Sequence, residues 1–397
     1  MELPKSKILF VIPSLEAGGG EKSLVNLLNT IDYNKYDVDL VLFKNAGIFL
    51  KAIPSQVTIL PINGAYKNFV KPIKSSILSF IKQDKIGMAI SRILFTINNS
   101  LEKNSGKAEQ KGWNHIRKSI TSIETQYDAA IGFLEKSSIY FIVDCVNAKK
   151  KIGFIHNDYT KLNLNADFDA TYFRKLNAIA TVSEECAAVL KSVFPSEKDK
   201  VSVIYNIVST SLIQKMAEEQ ITLDTSKPIV LSIGRLHPQK GFDMAIEAAK
   251  ILKDTCVSFQ WIVIGEGSER KALELKIAKY SLENDFQLIG LRENPYPYLK
   301  AATIYAQPSR YEGKSIAIDE AKIMQKPILV TNFTTAKDQI NHQSNGWITE
   351  FDEKQLAKDI AYLLQNKTVQ EELSLNLSKE NLSTESEILK LYSLLNG

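Results

Sequence analysis

The sequence predicts an α/β protein with two doubly wound, Rossmann-like domains that face each other across a cleft. Short apolar segments alternate with amphipathic helical segments, which is typical of parallel sheets covered by helices on both faces. This alternation restarts at Pro228, after the polar stretch Glu218–Lys227. A length of 397 residues also suits two or three domains. We therefore expect one domain over 1–205 and a second over 206–372.

The first half begins with a strand, a glycine turn and a helix. Gly18–Gly20 follow the first apolar run, and Leu24, Leu27, Leu28 and Ile31 then recur at helical spacing. Residues 66–125 have a mainly helical pattern with a polar break near Asn98–Lys111. Apolar runs predict seven short strands, namely Ile8–Pro13, Val38–Phe43, Val57–Pro61, Ala129–Phe133, Lys151–Ile155, Ala178–Val182 and Val201–Tyr205.

The second half repeats the pattern. Its predicted strands are Pro228–Ile233, Phe259–Ile264, Phe286–Ile289, Ala302–Ala306 and Pro327–Val330, and its predicted helices are Phe242–Lys253, a segment ending at about Tyr280, and Lys314–Met324. Ligands of such sheets bind outside the carboxyl ends of the strands, at the switch in strand order. The chemistry is therefore expected in the loops after Pro13, Ile155, Ile233, Ile264, Ile289 and Ala306, within the cleft between the domains.

The composition excludes several classes of protein. Lys and Arg total 49 against 45 Asp and Glu, and a net charge of +4 is too close to neutral for a dedicated nucleic-acid binder. Three scattered cysteines without a CxxC pair argue against a disulfide framework or a zinc cage and suit a reducing cytosol. The N-terminus lacks the apolar core of a signal peptide, and no apolar stretch is long enough to span a membrane. We expect a cytoplasmic protein.

The positive charge is concentrated in one segment. Residues 67–118 hold eleven basic and three acidic residues, a net +8, against −4 for the rest of the chain. Within 67–97 the basic residues interleave with apolar ones, and a basic amphipathic helix is typical of a membrane-surface element. The alternative is a domain helix whose apolar face is core and whose lysines are solvated.

Two loops carry features of an anion site. In Gly18–Gly20 the glycines allow close approach to a ligand and place amide groups at a helix N-terminus, although the spacing matches neither the Walker nor the dinucleotide pattern. Arg235 and Lys240 follow a predicted strand and precede a helix. Arginine can donate two hydrogen bonds to phosphate oxygens and lysine adds a point charge, which suits a diphosphate. The alternatives are a structural turn and an ordinary solvated loop.

Two further segments hold candidate polar groups. Glu312 stands at a helix entrance, where the amides of Gly313, Lys314 and Ser315 can bind a phosphate, and Glu320 follows two turns later, where a carboxylate can accept both ribose hydroxyls. Two glutamates on a helix are ordinarily a solvated face. His156 directly follows an apolar run and can donate to a sugar hydroxyl or stabilise developing charge, although a lone histidine is more often structural.

Taken together, these motifs resemble the family-4 retaining glycosyltransferases, which have the GT-B fold. The glycine loop, His156-Asn157-Asp158, the Gly234-Arg235…Lys240-Gly241 loop and the Glu312-Gly313-x6-Glu320 pattern occur in the family's order, and the resemblance extends over nearly the whole chain. Within the family, the chain looks like the bacterial branch that builds capsule, O-antigen or other surface polysaccharides. The departures are Lys314-Ser315, where the family often has Phe-Gly, and Ile207 after Asn206, where it often has glycine at the domain hinge.

The resemblance implies a role for each matching residue. Arg235 and Lys240 would bind the donor diphosphate, the amides of Gly313, Lys314 and Ser315 would cap it, and Glu320 would hold the ribose. Glu312 and His156 would contact the donor sugar. Gly19 and Gly20 would approach the phosphate or the acceptor. The segments Ile264–Glu266 and Ile289–Leu291, with Gly265, Glu266, Gly290 and Leu291, would cradle the base.

The resemblance also implies the reaction. A sugar would move, with retention, from a nucleoside-diphosphate sugar, UDP being the commonest carrier in the family, to a glycan or lipid-linked acceptor bound by the first domain. The second domain would bind the donor, and a helix in 373–397 would pack back towards the first. We expect no metal or other cofactor, because Asp37-Val38-Asp39 and Asp167-Phe168-Asp169 do not end apolar strands and Arg235 with Lys240 supplies the neutralising charge.

Two alternatives to this function remain open. A phosphorylase or sugar-phosphate synthase of the same fold is one, but a phosphorylase would usually need a pyridoxal lysine and a longer chain. A non-catalytic sugar-nucleotide-binding or scaffold protein is the other, and it would be favoured by loss of Arg235, Lys240 or Glu312, all of which are present.

Overall fold

The computed structural model describes residues 4–16, 18–208 and 210–396. It contains two parallel sheets, one in each of two compact units. The first unit combines Met1–Glu16, Leu27–Tyr205 and Glu387–Gly397, and the second combines Ala17–Asn26 with Asn206–Ser386. The predicted α/β class with two Rossmann-like sheets is confirmed.

The first unit holds a seven-stranded parallel sheet in the order β3-β2-β1-β4-β5-β6-β7. Its strands are β1 (Ser6–Ile12), β2 (Tyr36–Leu42), β3 (Val57–Leu60), β4 (Ile123–Phe133), β5 (Val146–Ile155), β6 (Ala178–Thr181) and β7 (Val201–Val203). The helices up to β7 are α1 (Gly19–Thr30), α2 (Tyr66–Phe69), α3 (Ile73–Ile81), α4 (Ile86–Leu101), α5 (Ser105–Arg117), α6 (Ser137–Cys145), α7 (Ala166–Phe173) and α8 (Glu184–Val193). The first half of α1 belongs to the second unit.

The second unit repeats this winding in a six-stranded parallel sheet of order β10-β9-β8-β11-β12-β13. Its strands are β8 (Ile229–Ile233), β9 (Gln260–Ile264), β10 (Phe286–Leu288), β11 (Ile304–Gln307), β12 (Ile328–Thr331) and β13 (Trp347–Thr349). The helices are α9 (Thr210–Met216), α10 (Phe242–Asp254), α11 (Arg270–Lys279), α12 (Tyr296–Ala301), α13 (Ile316–Ile323), α14 (Ala336–Gln339), α15 (Glu353–Gln365) and α16 (Lys367–Ser378); α17 (Ile388–Asn396) returns to the first unit.

The strands read as apolar runs because helices cover both faces of each sheet. All five residues of β9 are buried, as are all four of β11 and of β12. In α10 the buried residues recur at helical spacing, so one face of that helix packs on the sheet. Strand order reverses next to β1 in the first sheet and next to β8 in the second, which is the switch point where ligands of such sheets bind.

The predicted strands and helices agree with the observed ones to within a few residues at most places, and β13 was not predicted. The polar break expected near Asn98–Lys111 is confined to the three residues between α4 and α5, where the Asn104 side chain accepts a hydrogen bond from the Lys107 amide and caps α5. The helix expected to begin at Lys314 begins at Ile316. The strand β4 begins at Ile123 and β5 at Val146, each several residues earlier than predicted, because their N-terminal halves are polar and lack an apolar signal.

The chain passes between the units at Tyr205 and Asn206. Residues 373–386 lie in the second unit, whereas α17 lies in the first, where the Tyr392 ring stacks on Tyr36 with centroids 5.0 Å apart. Within the described residues, no helix is long and apolar enough to cross a membrane.

Candidate active site

The central feature of the second unit is an ion pair between Lys240 and Glu312. The Lys240 Nζ lies 2.6 Å from Oε1 of Glu312, and the two side chains are 17% and 8% exposed. The same carboxylate oxygen accepts hydrogen bonds from Ser309 Oγ at 2.6 Å and from Gln307 Nε2 at 3.1 Å. Glu312 is therefore held rigidly by three donors at the carboxyl end of β11.

The loops after β8 and β11 are joined by the backbone around this pair. The Arg310 amide donates to Gln239 O at 2.7 Å, and Gln239 Nε2 donates to Tyr311 O at 2.9 Å. Gly241 has φ +67°, and a Cβ there would lie 2.0 Å from Pro308 O. Only glycine suits this position, because any side chain would force the two loops apart and separate Lys240 from Glu312.

Arg235 is the more accessible cation of the site. Its side chain is 51% exposed, and its guanidinium lies 3.5 Å from Oε1 of Glu21, which is 11% exposed. Glu21 lies in the first turn of α1, in the part of that helix that belongs to the second unit. The long, half-exposed contact leaves Arg235 free to turn towards an anion, whereas Lys240 is fixed.

The loops after β9 and β10 stack beside Arg235. The Gly234 amide donates to Ile264 O, the Leu236 amide to Glu266 O, and the Gly265 amide to Gly290 O, at 2.9–3.0 Å. A Cβ on Gly265 would lie 1.9 Å from Gly234 O, so the two loops pack backbone to backbone. The Glu266 carboxylate is engaged by Arg270, with contacts of 2.6 and 2.7 Å.

At the N-terminus of α13, some of the backbone groups already form hydrogen bonds with side chains of the protein. The Ser315 amide donates to Gln339 Oε1 at 2.8 Å, and Gln339 Nε2 donates back to Ser315 O at 2.8 Å. Gly313 is buried beside Glu312, and the Lys314 carbonyl accepts a hydrogen bond from Asn206 Nδ2 at 3.3 Å. The Ser315 amide is therefore occupied within the protein, and the role predicted for this turn in capping a diphosphate stays a prediction.

Glu320 lies inside the unit with two partners that sequence analysis missed. Its carboxylate is 1% exposed, forms an ion pair with Lys22, and accepts a hydrogen bond from the Tyr296 hydroxyl at 2.9 Å. Burial alone would lower the pKa of Lys22, but the charge of Glu320, the nearby Tyr296 hydroxyl and the hydrogen bonds to both groups together outweigh burial and hold that pKa above its usual value. Burial raises the pKa of Tyr296, and Glu320 raises it further.

Glu312 and Glu320 share one electrostatic neighbourhood. Burial raises the pKa of the Tyr305 hydroxyl, and the charges of both carboxylates raise it further. Within the second unit, Arg235, Lys240 and Lys22 thus each contact one carboxylate, of Glu21, Glu312 and Glu320 respectively. These pairs are electrically balanced, and an incoming anion would compete with carboxylates for cations that already lie in place.

Residues of α1 tie its first half to the second unit. Ser23 Oγ donates to Asn206 Oδ1 at 2.7 Å, and Asn26 Nδ2 donates to Ile207 O at 2.8 Å. Gly19 begins this half-helix, and a Cβ there would meet no atom within 4 Å. The side of Gly19 where a side chain would lie is therefore open. The glycine loop and the Arg235 loop belong to one structural unit, which their separation in sequence conceals.

His156 lies at the carboxyl end of β5 in the first unit. Its ring packs against Phe133 and Phe154, with centroids 4.8 and 5.9 Å away. Burial lowers the pKa of His156 to about 4, although the charge of Glu135 acts in the opposite direction. The imidazole is therefore neutral near pH 7. Glu135, which the sequence analysis did not select, accepts a hydrogen bond from the His156 amide at 3.2 Å.

The two Asp-x-Asp segments have structural partners. Asp39 accepts a hydrogen bond from the Tyr127 hydroxyl at 2.8 Å, and Asp169 accepts hydrogen bonds from Tyr140 and Tyr159. Among the described residues, no three His, Cys, Asp or Glu side chains are grouped as metal ligands. That the protein acts without a metal ion stays a prediction.

Part of the second unit matches a known protein family. In the second unit, cations and carboxylates held in ion pairs lie at the carboxyl edge of a doubly wound α/β sheet. Residues 214–381 match the model of the glycosyl transferases of group 1. This match spans less than half of the chain, and over these residues it confirms the family resemblance found in the sequence.

Individual relatives and structures agree with that family. An uncharacterized glycosyltransferase of Methanocaldococcus jannaschii is 24% identical over 174 residues, which cover 43% of either chain. The chain thus matches less than half the length of that relative. The N-acetylgalactosamine-N,N'-diacetylbacillosaminyl-diphospho-undecaprenol 4-alpha-N-acetylgalactosaminyltransferase of Campylobacter jejuni is 22% identical over 87% of this chain and 86% of its own. A variant of S. aureus TarM, solved with fondaparinux, α-GlcNAc-glycerol and UDP, superposes with a TM-score of 0.70 at 16% identity, over 99% of this chain and 100% of its own. The fold is GT-B.

Proposed function

We propose that this protein is a retaining glycosyltransferase that moves a sugar, a hexose or an N-acetylhexosamine, from a UDP-sugar to a glycan or lipid-linked acceptor in bacterial surface-polysaccharide synthesis. The observation that carries this proposal is the Lys240–Glu312 pair beside Arg235 at the carboxyl edge of the second sheet. The group 1 family match over residues 214–381 supports it. The UDP bound in the S. aureus TarM structure supports the choice of nucleotide.

The chemistry at this edge suits departure of a nucleoside diphosphate. Bond cleavage at the anomeric carbon builds positive charge on the sugar and negative charge on the leaving phosphate. Arg235 and Lys240 are fixed or readily oriented cations that stabilise the second charge, and the buried carboxylate of Glu312 lies beside them for the sugar. Because the leaving phosphate itself can act as base on the same face of the sugar, the proposed reaction needs no carboxylate nucleophile. It needs no metal because Arg235 and Lys240 supply the neutralising charge.

The other contacts with the nucleotide sugar are inferred from where the residues lie in the second unit. The Glu320 carboxylate would accept hydrogen bonds from the ribose hydroxyls, either beside its contacts with Lys22 and Tyr296 or in place of them. The stacked loops at Gly265, Glu266, Gly290 and Leu291 would cradle the base, and the first unit would bind the acceptor. Capsule is one candidate product among surface polysaccharides. We assign the protein to the cytoplasm, where nucleotide sugars are made available.

Peripheral contact with an anionic membrane belongs to the same proposal. The solvent side of α4 carries an uninterrupted apolar stripe, with exposed fractions of 39–78%, formed by Ile86, Ile90, Ile93, Leu94, Ile97 and Leu101. Lys71, Lys74, Lys82 and Lys85 are exposed next to it along the chain, on α3 and its flanks. An apolar stripe bordered by lysines suits the interface of an anionic bilayer, where each lysine contributes about 1 kcal/mol. A lipid-linked acceptor would make such contact useful.

The proposal is tested by incubating the protein with single nucleotide sugars in the absence of acceptor. Slow release of a nucleoside diphosphate from one donor is expected, and it should be abolished in Arg235→Ala and Lys240→Ala proteins that keep the wild-type fold. A non-catalytic binding or scaffold protein would release none from any donor. Wild-type turnover in either variant would overturn the assignment of the diphosphate site.

A further inference from the structure

A buried carboxylate, Glu135, lies beside His156 at the same edge of the first sheet. Strands β4 and β5 are parallel neighbours, and Phe133 is paired with Phe154 in their register. Glu135 and His156 each follow two residues beyond that pair, so both leave the sheet at its carboxyl edge. The two loops are thus adjacent although they are far apart in sequence.

Both oxygens of Glu135 are used on the loop that holds His156. Oε2 accepts a hydrogen bond from the His156 amide at 3.2 Å, and Oε1 accepts one from Asn157 Nδ2 at 2.9 Å. Glu135 is only 7% exposed. A buried carboxylate with these two donors resists displacement, because leaving either donor or the charge unpaired would be costly.

The ring of His156 presents an unused nitrogen. Nε2 is buried and has no hydrogen-bond partner among the described residues, although Phe133 and Phe154 hold the ring in place. Buried polar atoms are normally paired, and an unpaired one in a fixed ring indicates that a ligand supplies the partner. The neighbouring charges are engaged elsewhere: Lys136 pairs with Glu109 at 2.7 Å, and Asp158 accepts from Thr160 Oγ1 at 2.6 Å.

We propose that Glu135 is a positioning residue for His156: its carboxylate fixes the turn after β5 so that Nε2 of His156 is held ready for a hydroxyl of the sugar substrate. The inference rests on the proposed function for the identity of that ligand, but not for the positioning itself. Burial keeps the imidazole neutral, so Nε2 can form a hydrogen bond with a hydroxyl, as donor or acceptor, without carrying a charge.

The positioning is tested by NMR of the histidine side chains, which needs no substrate. The chain has four histidines, so the Cε1–Hε1 signal of His156 is identified by its loss in His156→Gln. Glu135→Ala is expected to move that signal, and Glu135→Gln to move it less. The glutamine oxygen can still accept from the His156 amide, and its NH2 group can donate to Asn157 Oδ1 if the Asn157 amide flips. Glu124→Gln, at an exposed carboxylate on β4, the strand that precedes Glu135, is the matched control and should leave the signal in place.

Kinetics of donor hydrolysis then connect positioning to activity. A misplaced His156 should lower kcat about 10- to 100-fold in Glu135→Ala while the donor KM stays within about threefold. If Glu135→Ala does not fold, Asn157→Ala removes one of the two contacts and replaces it in both measurements. A His156 signal that is unmoved in every folded variant would overturn the proposal. A moved signal with full kcat would overturn the role of Glu135 in turnover, whereas absence of donor hydrolysis in the wild type contradicts only the proposed function.

Discussion

The ammonium of Lys240 lies 2.6 Å from the Glu312 carboxylate, and the donors Ser309 and Gln307 converge on the same oxygen. This arrangement fixes a cation and an anion side by side at the carboxyl edge of the second sheet before any ligand binds. Preorganised charges of this kind stabilise a developing charge without reorganisation.

Replacing Lys240 by methionine keeps most of the length of the unbranched side chain and removes its charge. Donor hydrolysis should fall at least about 100-fold, because one fixed cation at the leaving phosphate is lost. Lys354→Met, at an exposed lysine in the same unit, is the control and should behave like the wild type. Turnover by Lys240→Met within twofold of the control would exclude this lysine from the site.

Glu21 and Arg235 should have opposite effects on nucleotide affinity. Their contact is long and half-exposed, so a diphosphate must compete with Glu21 for the guanidinium. Arg235→Ala should weaken UDP binding by about tenfold or more, since a charge-assisted contact is lost. Glu21→Gln should leave the affinity unchanged or increase it. Calorimetric titration measures both, and weaker binding in Glu21→Gln would show that Glu21 assists the nucleotide instead of competing with it.

The Lys22–Glu320 pair should contribute to stability independently of activity. The two side chains are 18% and 1% exposed, and Lys22 also lies 4.8 Å from the centre of the Tyr296 ring. Lys22→Met leaves Glu320 buried with one donor fewer, which should cost about 3–5 kcal/mol in the free energy of unfolding. Urea denaturation checks this value. Adding Glu320→Leu to Lys22→Met should recover part of the loss, and a double variant no more stable than the single one would argue against the pair.

His156 should make the protein less stable in mild acid. Its pKa is about 4 in the folded chain, against 6.5 when unperturbed. The unfolded chain therefore binds the extra proton first, and stability should fall as the pH drops from about 6.5 towards 4. The full shift corresponds to about 3 kcal/mol at 1.36 kcal/mol per unit. His156→Gln should remove this part of the pH dependence in urea denaturation, and an unchanged profile would contradict the buried neutral ring.

The apolar stripe of α4 should mediate binding to lipid. Ile90→Ser with Ile97→Ser should reduce co-sedimentation with anionic vesicles several-fold, because two exposed isoleucines no longer enter the interface. Leu275→Ser, at a leucine that is 73% exposed on α11, is the matched control. Charge reversal at Lys71, Lys74, Lys82 and Lys85 should also reduce co-sedimentation. Unchanged binding in both sets of variants would remove the membrane contact from the proposal.

Most of the fold could be predicted from the sequence because most of the buried parallel strands are predominantly apolar. The strand before Arg235 and the one before Gly265 are examples. The short edge strand β13 was missed, since three residues are too few to show a periodicity. The N-terminal halves of β4 and β5 were missed because they are polar.

The candidate site was only partly predictable. Arg235, Lys240 and Glu312 could be found because each stands next to a strand end or a glycine. Lys22 and Glu135 could not, because their importance lies in contacts with residues far away in sequence, Glu320 and His156. The predicted Ser315 amide illustrates the opposite case: its place at a helix start was visible, but its bond to Gln339 was not.

The central claim is that the carboxyl edge of the second sheet binds a nucleoside diphosphate. Calorimetric titration of the wild-type protein with UDP, beside the Arg235→Ala/Lys240→Met double variant, tests it most directly. The account predicts saturable binding at one site per chain in the wild type and no detectable binding in a correctly folded double variant. Binding of equal strength in both proteins would contradict it.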